Sequence, residues 1–221
     1  MNRNLKEVYD RLFAAYGPRG WWPADSPFEV IVGAILVQNT AWENVRKAID
    51  HLRQRDLLEP RALHDVPLEE LEDLIRPVGY YRVKARRLRN LLDFLVSRYD
   101  GSLEAMFRVP LARLREELLR VNGVGPETAD SILLYAGGLP TFVVDAYTYR
   151  VVTRHGWLDF DADYDAIQDY FQSGLPEDVR LYNEYHALLV EVGKRHCRKR
   201  PVCQGCPLAE LLPAGGPLQP E

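Results

Sequence analysis

Residues 118–154 read LLRVNGVGPETADSILLYAGGLPTFVVDAYTYRVVTR, and the order of residue types in them decides the fold. Apolar spacing up to Val121 and again after Pro126 predicts two helices joined by Asn122-Gly123-Val124-Gly125. Gly123 and Gly125 supply the positive φ angles and close backbone approach that a tight interhelical turn needs. Val124 is expected to plug the space between the helices, and Pro126 suits a first helical position, where its missing N–H costs nothing. The N–H groups of that helix start then face outward, able to hold an anion. A plain helical corner would use the same residues. Further on, Phe142-Val143-Val144 carries Asp145 towards the interior just before Ala146-Tyr147-Thr148. That makes Asp145 the N-cap of a helix over 146–154. It also makes it a carboxylate able to stabilise developing positive charge or to place a water.

Helical periodicity dominates elsewhere. Leu5, Val8, Tyr9, Leu12 and Phe13 follow the i, i+3, i+4 rule, as do Ile31, Ala34 and Ile35, and Leu88, Leu91, Leu92 and Leu95. Ser26-Pro27-Phe28-Glu29 opens a helix with serine as N-cap, proline in the first turn and glutamate at the third position. Pro67 with Glu69 and Glu70 opens another in the same manner. Thr141–Val144 is the single β-like run, too short to start a sheet. The fold class is therefore all-α, with about ten helices and short polar loops. The tail from Pro213 onward is rich in proline and glycine and is expected to fray.

A chain of 221 residues suits one large domain or two small ones sharing a cleft. No run of about eighteen apolar residues exists to span a membrane. The start, MNRNLKEVYDRLF, reads as an amphipathic helix without the apolar core of a secretory signal, so a cytoplasmic location is expected. The net charge of −4 argues mildly against a nucleic-acid partner, but the local distribution argues the other way. Arg82, Lys84, Arg86, Arg87 and Arg89 crowd one stretch, and Lys194, Arg195, Arg198, Lys199 and Arg200 another. Segregated charge of this kind can build a basic face on an acidic protein. Either run alone reads better as a solvated helix face. Cys197, Cys203 and Cys206 are odd in number and tightly spaced, which points to metal ligation or its remnant rather than to disulfides.

Gly-Val-Gly-Pro-Glu-Thr-Ala-Asp at 123–130, followed by Val-Val-Asp-Ala-Tyr at 143–147, resembles the helix-hairpin-helix Gly/Pro-Asp superfamily of DNA glycosylases, and its endonuclease III branch in particular. The resemblance covers nearly the whole chain. Ser26-Pro27-Phe28-Glu29 through Gln38-Asn39-Thr40 resembles that branch's early helix, whose glutamine enters the duplex near the extruded base. Val78-Gly79-Tyr80-Tyr81-Arg82-Val83-Lys84-Ala85 resembles its wedge-bearing loop. The resemblance implies two helical domains flanking a DNA-binding cleft. One is a six-helix domain over 24–139 with the hairpin motif at about 112–137; the other joins 1–23 to 140–221 and carries the cysteine loop at 197–206. It implies a monomer, associated with the nucleoid, whose partner is damaged double-stranded DNA. The expected DNA contacts are Gln38, Tyr80, Tyr81, Arg82, Lys84, Gly123, Val124, Gly125, Glu127 and Thr128, with Asp145 as the catalytic carboxylate beside a flipped nucleotide.

Two departures from the family pattern carry information. Bifunctional members place a lysine just before the Thr-Ala of the hairpin helix, where its amine forms a Schiff base with the sugar and strand cleavage follows. Here that position is Glu127, which cannot form the imine, so a monofunctional glycosylase that uses water is expected. Trp21-Trp22-Pro23 with Gln38-Asn39-Thr40 and Gly-Pro-Glu-Thr-Ala-Asp looks like the 3-methyladenine DNA glycosylase III group. That likeness implies an aromatic pocket for an alkylated purine, built from Trp21, Trp22, Pro23 and Trp42, with Lys194 nearby. Electron-poor bases gain from stacking on indole, although adjacent tryptophans also pack cores.

The second departure lies in the cysteines. The endonuclease III branch carries an iron–sulfur loop here, and such clusters use four thiolates. Leu212 stands where the fourth cysteine would be. Cluster binding by Cys197, Cys203 and Cys206 therefore stays open, with the missing ligand pointing to a cluster absent or incomplete, and the chemistry requires no cofactor. Other readings are an endonuclease III-like glycosylase for oxidised or mismatched pyrimidines, and a catalytically silent hairpin module that only binds DNA. Asp145 argues against the latter. No grouping of Asp, Glu and His supports a metal-dependent nuclease.

Overall fold

The computed structural model describes residues 5–220. Twelve α-helices follow one another among them. These are α1 (Leu5–Tyr16), α2 (Pro27–Leu36), α3 (Trp42–Arg53), α4 (Pro60–Asp65), α5 (Leu68–Leu74), α6 (Tyr81–Tyr99), α7 (Leu103–Phe107), α8 (Leu111–Leu119), α9 (Pro126–Ser131), α10 (Ala146–Arg154), α11 (Tyr164–Gly174) and α12 (Val179–Arg195). The pattern of apolar residues predicts fewer, because α4 and α7, of six and five residues, are too short to display a period. No strand occurs among the described residues, and none of their helices is long and apolar enough to cross a membrane. The chain divides into two units, Met1–Trp22 with Pro140–Glu221 and Pro23–Leu139.

In the Pro23–Leu139 unit, α2 is buried on every side from Phe28 to Leu36. Its start is fixed by the Ser26 hydroxyl, which accepts the Glu29 N–H at 3.2 Å, and by Pro27 in the first turn. Ile31, Ile35 and Leu36 meet Leu88, Leu91, Leu92 and Leu95 of α6, Leu114 and Leu118 of α8, and Ile132 and Leu133 in one continuous core. Each such side chain contributes about 1.5–3 kcal/mol by leaving water. The polar clamp of this unit is Glu117 on α8. Its carboxylate accepts from Arg98 at 2.7 and 3.0 Å, from Arg113 at 3.1 Å and from the Tyr99 hydroxyl. Arg115 holds the fully buried Asp130 of α9 at 2.9 and 3.2 Å, tying the two hairpin helices together.

The other unit packs α1 and α10 on α12. Its centre is aromatic: Phe142 stacks on Phe171 with centroids 4.2 Å apart and meets Tyr182 and Tyr185 edge-on. The extended Thr141–Val144 run has side chains, not a strand, as hydrogen-bond partners. Gln172 accepts the Phe142 N–H at 2.8 Å, Gln168 donates to the Phe142 carbonyl at 2.7 Å, and the Tyr164 hydroxyl receives the Val144 N–H at 3.3 Å. That is how an extended segment is buried without a sheet. Contact between α10 and α12 depends on Gly193, where a Cβ would lie 2.4 Å from Tyr147 Cδ1.

Two stability measurements follow. The Arg98 guanidinium, then Tyr99, hold the Glu117 carboxyl down to about 2 from an ordinary 4.5. A carboxyl with a lower pKa folded than unfolded favours the fold above about 4.5 and loses that contribution as pH falls towards about 2. In stepwise urea titrations Glu117→Gln should be less stable at pH 7 and lose less stability than wild type across that window. Gly193→Ala should cost about 1–3 kcal/mol by overpacking against Tyr147, read as a lower urea midpoint at unchanged slope.

Candidate functional site

The hairpin is built as its sequence requires at one glycine and differently at the other. Gly123 has φ +98, the left-handed region, and a Cβ there would collide with Arg87, 2.2 Å from its Cγ. Gly125 is extended, with φ −96 and ψ 178, and nothing lies within 4 Å of where its Cβ would be. Its role is therefore open space beside the start of α9, not a special backbone angle. The α9 helix continues through a π-helical turn, Ile132–Ala136. Val124 is 6% exposed and Thr128 7%, so these two expected DNA contacts belong to the hairpin's interior. Gly125 and Glu127 are exposed.

Gln38, an expected DNA contact, is hydrogen-bonded within the protein. Its amide donates to the Gly123 carbonyl at 3.1 Å and to the Thr128 hydroxyl at 3.0 Å, and its carbonyl accepts from Arg87 at 2.5 Å. The residue is a clasp between the end of α2 and the hairpin rather than a side chain presented to solvent. Lys84, expected at a phosphate, is 2% exposed. Its ammonium donates to the Leu36 carbonyl at 2.9 Å, the Val78 carbonyl at 3.0 Å and the Thr40 hydroxyl, and burial, then Arg87, push its pKa down to about 8. Three cations of the run on α6 are thus engaged internally, while Arg82 and Arg86 stay exposed. Arg89 binds the His64 and Val66 carbonyls, Arg87 holds Gln38, and Arg82 lies 3.6 Å from Glu72.

Ahead of α6, Gly79 (φ 63) and Tyr80 (φ 46, ψ 28) both take left-handed backbone. The Tyr80 ring is 80% exposed. A large side chain held in a strained conformation and turned to water is uncommon unless something external receives it. Tyr81 sits beneath Arg76 and Arg82, 5.2 and 5.7 Å from its ring centre.

In the other unit, Asp145 is the N-cap of α10. Its Oδ1 receives the Thr148 N–H at 2.7 Å and the Thr148 hydroxyl at 3.0 Å, while its Oδ2 lies 3.8 Å from Nε2 of His186 on α12. Trp21 and Trp22 meet edge-to-face, 5.7 Å between ring centres, and the Lys194 ammonium lies 5.7 Å over Trp21. Arg19 pins this segment to α12: its N–H donates to Glu184 at 2.6 Å and its guanidinium to Glu191 at 3.3 Å. Pro23 and Trp42 fall in the Pro23–Leu139 unit, where Pro23 is exposed and Trp42 leans on that unit's core.

The cysteine loop does not fit a four-thiolate cluster. Three thiols are present, Leu212 offers no donor, and among the described residues no three side chains of Cys, His, Asp or Glu gather to hold a metal ion. Two arginines of α10 organise the loop. Buried Arg154 donates to the Arg198 carbonyl at 2.6 Å, the Lys199 carbonyl at 3.0 Å and Cys197 Sγ at 3.4 Å, and Arg150 donates to the Cys197 carbonyl at 2.9 Å.

Sequence reasoning passed over His186, Arg19 and the two loop arginines, and read Arg87 only as part of a basic run. One signal was present for His186: it interrupts the apolar stripe Tyr182, Tyr185 and Leu189 of α12, where a polar group must have a purpose. Arginines that bind distant carbonyls leave no such mark.

Comparison with known proteins agrees with this geometry. Residues 32–177 match the HhH-GPD superfamily of base excision DNA repair proteins. A protein of Methanocaldococcus jannaschii described as a candidate DNA repair glycosylase is 48% identical over 209 residues, 94% of each chain. A solved non-covalent endonuclease III–DNA complex matches with a TM-score of 0.82 at 28% identity, over 97% of this chain and 96% of that one. H. pylori 3-methyladenine DNA glycosylase bound to 1,N6-ethenoadenine matches at 0.77 and 28%, over 89% and 98%. The all-helical fold is that of endonuclease III, and its solved DNA complexes support DNA as the partner. The chain belongs to the HhH-GPD superfamily and is a DNA glycosylase of the endonuclease III family in base excision repair.

Proposed function

We propose that this glycosylase is monofunctional: it hydrolyses the N-glycosidic bond of an extruded base with Asp145 and leaves the strand intact. The observation that carries the reading is Glu127 at the hairpin position where bifunctional relatives have their lysine. Neither Lys84 nor Lys194 occupies that position: Lys84 is buried on three oxygens and Lys194 lies over Trp21. In the reaction the C1′–N bond breaks and its electron pair leaves with the base. The Asp145 carboxylate stabilises the oxocarbenium-like sugar, water adds at C1′, and the water's proton passes to Asp145. Backbone N–H groups at the start of α9, beside the open Gly125, hold a phosphate and so register the duplex without reading sequence. Tyr80 is the wedge that fills the stack when a base leaves it, an extrusion costing a few kcal/mol that a damaged pair partly relieves.

For the base itself, alkylated purines such as 3-methyladenine are the class that the Trp21–Trp22 pair suits, because electron-poor rings stack well on indole. The solved H. pylori enzyme, 28% identical, carries 3-methyladenine in its name. One observation favours a second reading, an oxidised or mismatched pyrimidine: the Lys194 ammonium already lies on the Trp21 ring, and a cation there repels a cationic purine.

A panel of duplexes carrying 3-methyladenine, thymine glycol, or uracil or thymine opposite guanine separates these readings. Base release should occur without nicking until alkali is added, and Asp145→Asn should slow release by about 10²–10⁴-fold. Nicking by wild type without alkali would contradict the monofunctional assignment. Fastest release of 3-methyladenine supports the purine reading; fastest release of a pyrimidine replaces it. Glu127→Lys should yield a borohydride-trapped adduct that wild type lacks, and its absence would count against the equivalence of this position with the family's lysine.

A further inference from the structure

We propose that His186 is a positioning residue for Asp145, its imidazole holding the carboxylate's outer oxygen while the inner oxygen stays committed to the start of α10. The inference rests on the reading of Asp145 given above. Oδ1 of Asp145 caps α10 through both the N–H and the hydroxyl of Thr148, so it cannot turn without uncapping the helix. Only Oδ2 is left for chemistry, and the His186 Nε2 is 3.8 Å from it. That spacing exceeds a direct hydrogen bond. Catalytic hydrogen bonds are often long before substrate binds and tighten in the reacting complex.

The type of residue matters. His186 is 4% exposed, and burial holds its pKa below the ordinary 6.5 against the opposing pull of Asp145, so the ring is neutral near pH 7. A neutral N–H orients a carboxylate without cancelling its charge. A lysine or arginine there would form an ion pair and damp the negative charge that a cationic sugar needs. The placement of His186 is also fixed by packing. Gly193 follows it by seven residues, two turns on the same face of α12. At that glycine Tyr147 of α10 approaches closely enough that a Cβ would clash at 2.4 Å. The glycine thus sets the distance between α12 and the helix that Asp145 begins.

The test uses a duplex with a positively charged pyrrolidine abasic analogue, which mimics the sugar's developing charge, and one with the neutral tetrahydrofuran analogue. Wild type should bind the charged duplex more tightly. His186→Leu should keep wild-type affinity for the neutral duplex, lose most of the preference, and slow single-turnover base release about a hundredfold. His186→Gln, whose amide can donate, should recover the rate to within about tenfold of wild type. Asp145→Asn should abolish the preference. No preference in wild type, or one that Asp145→Asn leaves intact, removes the Asp145 reading and this inference with it. Loss in Asp145→Asn together with wild-type preference and rate in His186→Leu removes His186 alone. Thermal melts accompany each variant, and if His186→Leu does not fold, His186→Asn, too short to reach Oδ2, replaces it under the same two outcomes.

Discussion

One carboxylate sets where α10 begins, and in the proposed reaction the same group faces the sugar. Asp145 must accept the Thr148 N–H for α10 to begin where it does, and the aromatic core around Phe142 carries the chain to that point. An N-cap contributes about 0.5–2 kcal/mol, modest for stability, but its geometric consequence is larger. Because the cap fixes Oδ1, the orientation of Oδ2 is settled by backbone folding before any substrate arrives. A side chain that had to be ordered on binding would surrender part of its effect as lost rotamer entropy. Preorganisation of this sort is what electrostatic stabilisation of a cationic sugar demands.

The hairpin shows the same economy with different means. Its turn is held by Gln38, whose three polar contacts reach the Gly123 carbonyl, the Thr128 hydroxyl and the Arg87 guanidinium. Behind that clasp Arg115 pairs with a fully buried Asp130. Removing Arg115 would strand the Asp130 charge in the interior, which costs about 3–5 kcal/mol. The left-handed angle at Gly123 is a condition for the clasp: any Cβ would occupy the space of Arg87 and open it.

How much of this the sequence discloses depends on the range of the interaction. Local devices are legible, such as Ser26 as a cap, Pro27 and Pro126 at helix starts, Gly123 in its turn and Asp145 before α10. Each depends on groups within about four residues. The helical fold was legible for the same reason, apart from the short α4 and α7. Long-range contacts were not. Lys84 looked like one more cation in a basic run, and nothing local announces that three oxygens from 36, 40 and 78 close around it. Thr128 and Val124 likewise looked available until neighbours distant in sequence covered them. The general error is to read charge on a helix as charge on a surface. A basic stripe is also a stock of donors, and buried carbonyls at the ends of short helices consume it.

The same logic bears on Glu127. It occupies the first turn of α9 and is exposed, so packing does not dictate what stands there. For the helix itself an acid at this end is favourable and a lysine unfavourable, by about 0.3–1 kcal/mol each. A chain that places lysine at this position gives up helix energy to gain an amine next to the sugar, whereas this chain keeps the residue that the helix prefers. An acid at this position is therefore what the helix itself favours. In the proposed reaction the chemistry then falls on Asp145, which capping of α10 holds in place.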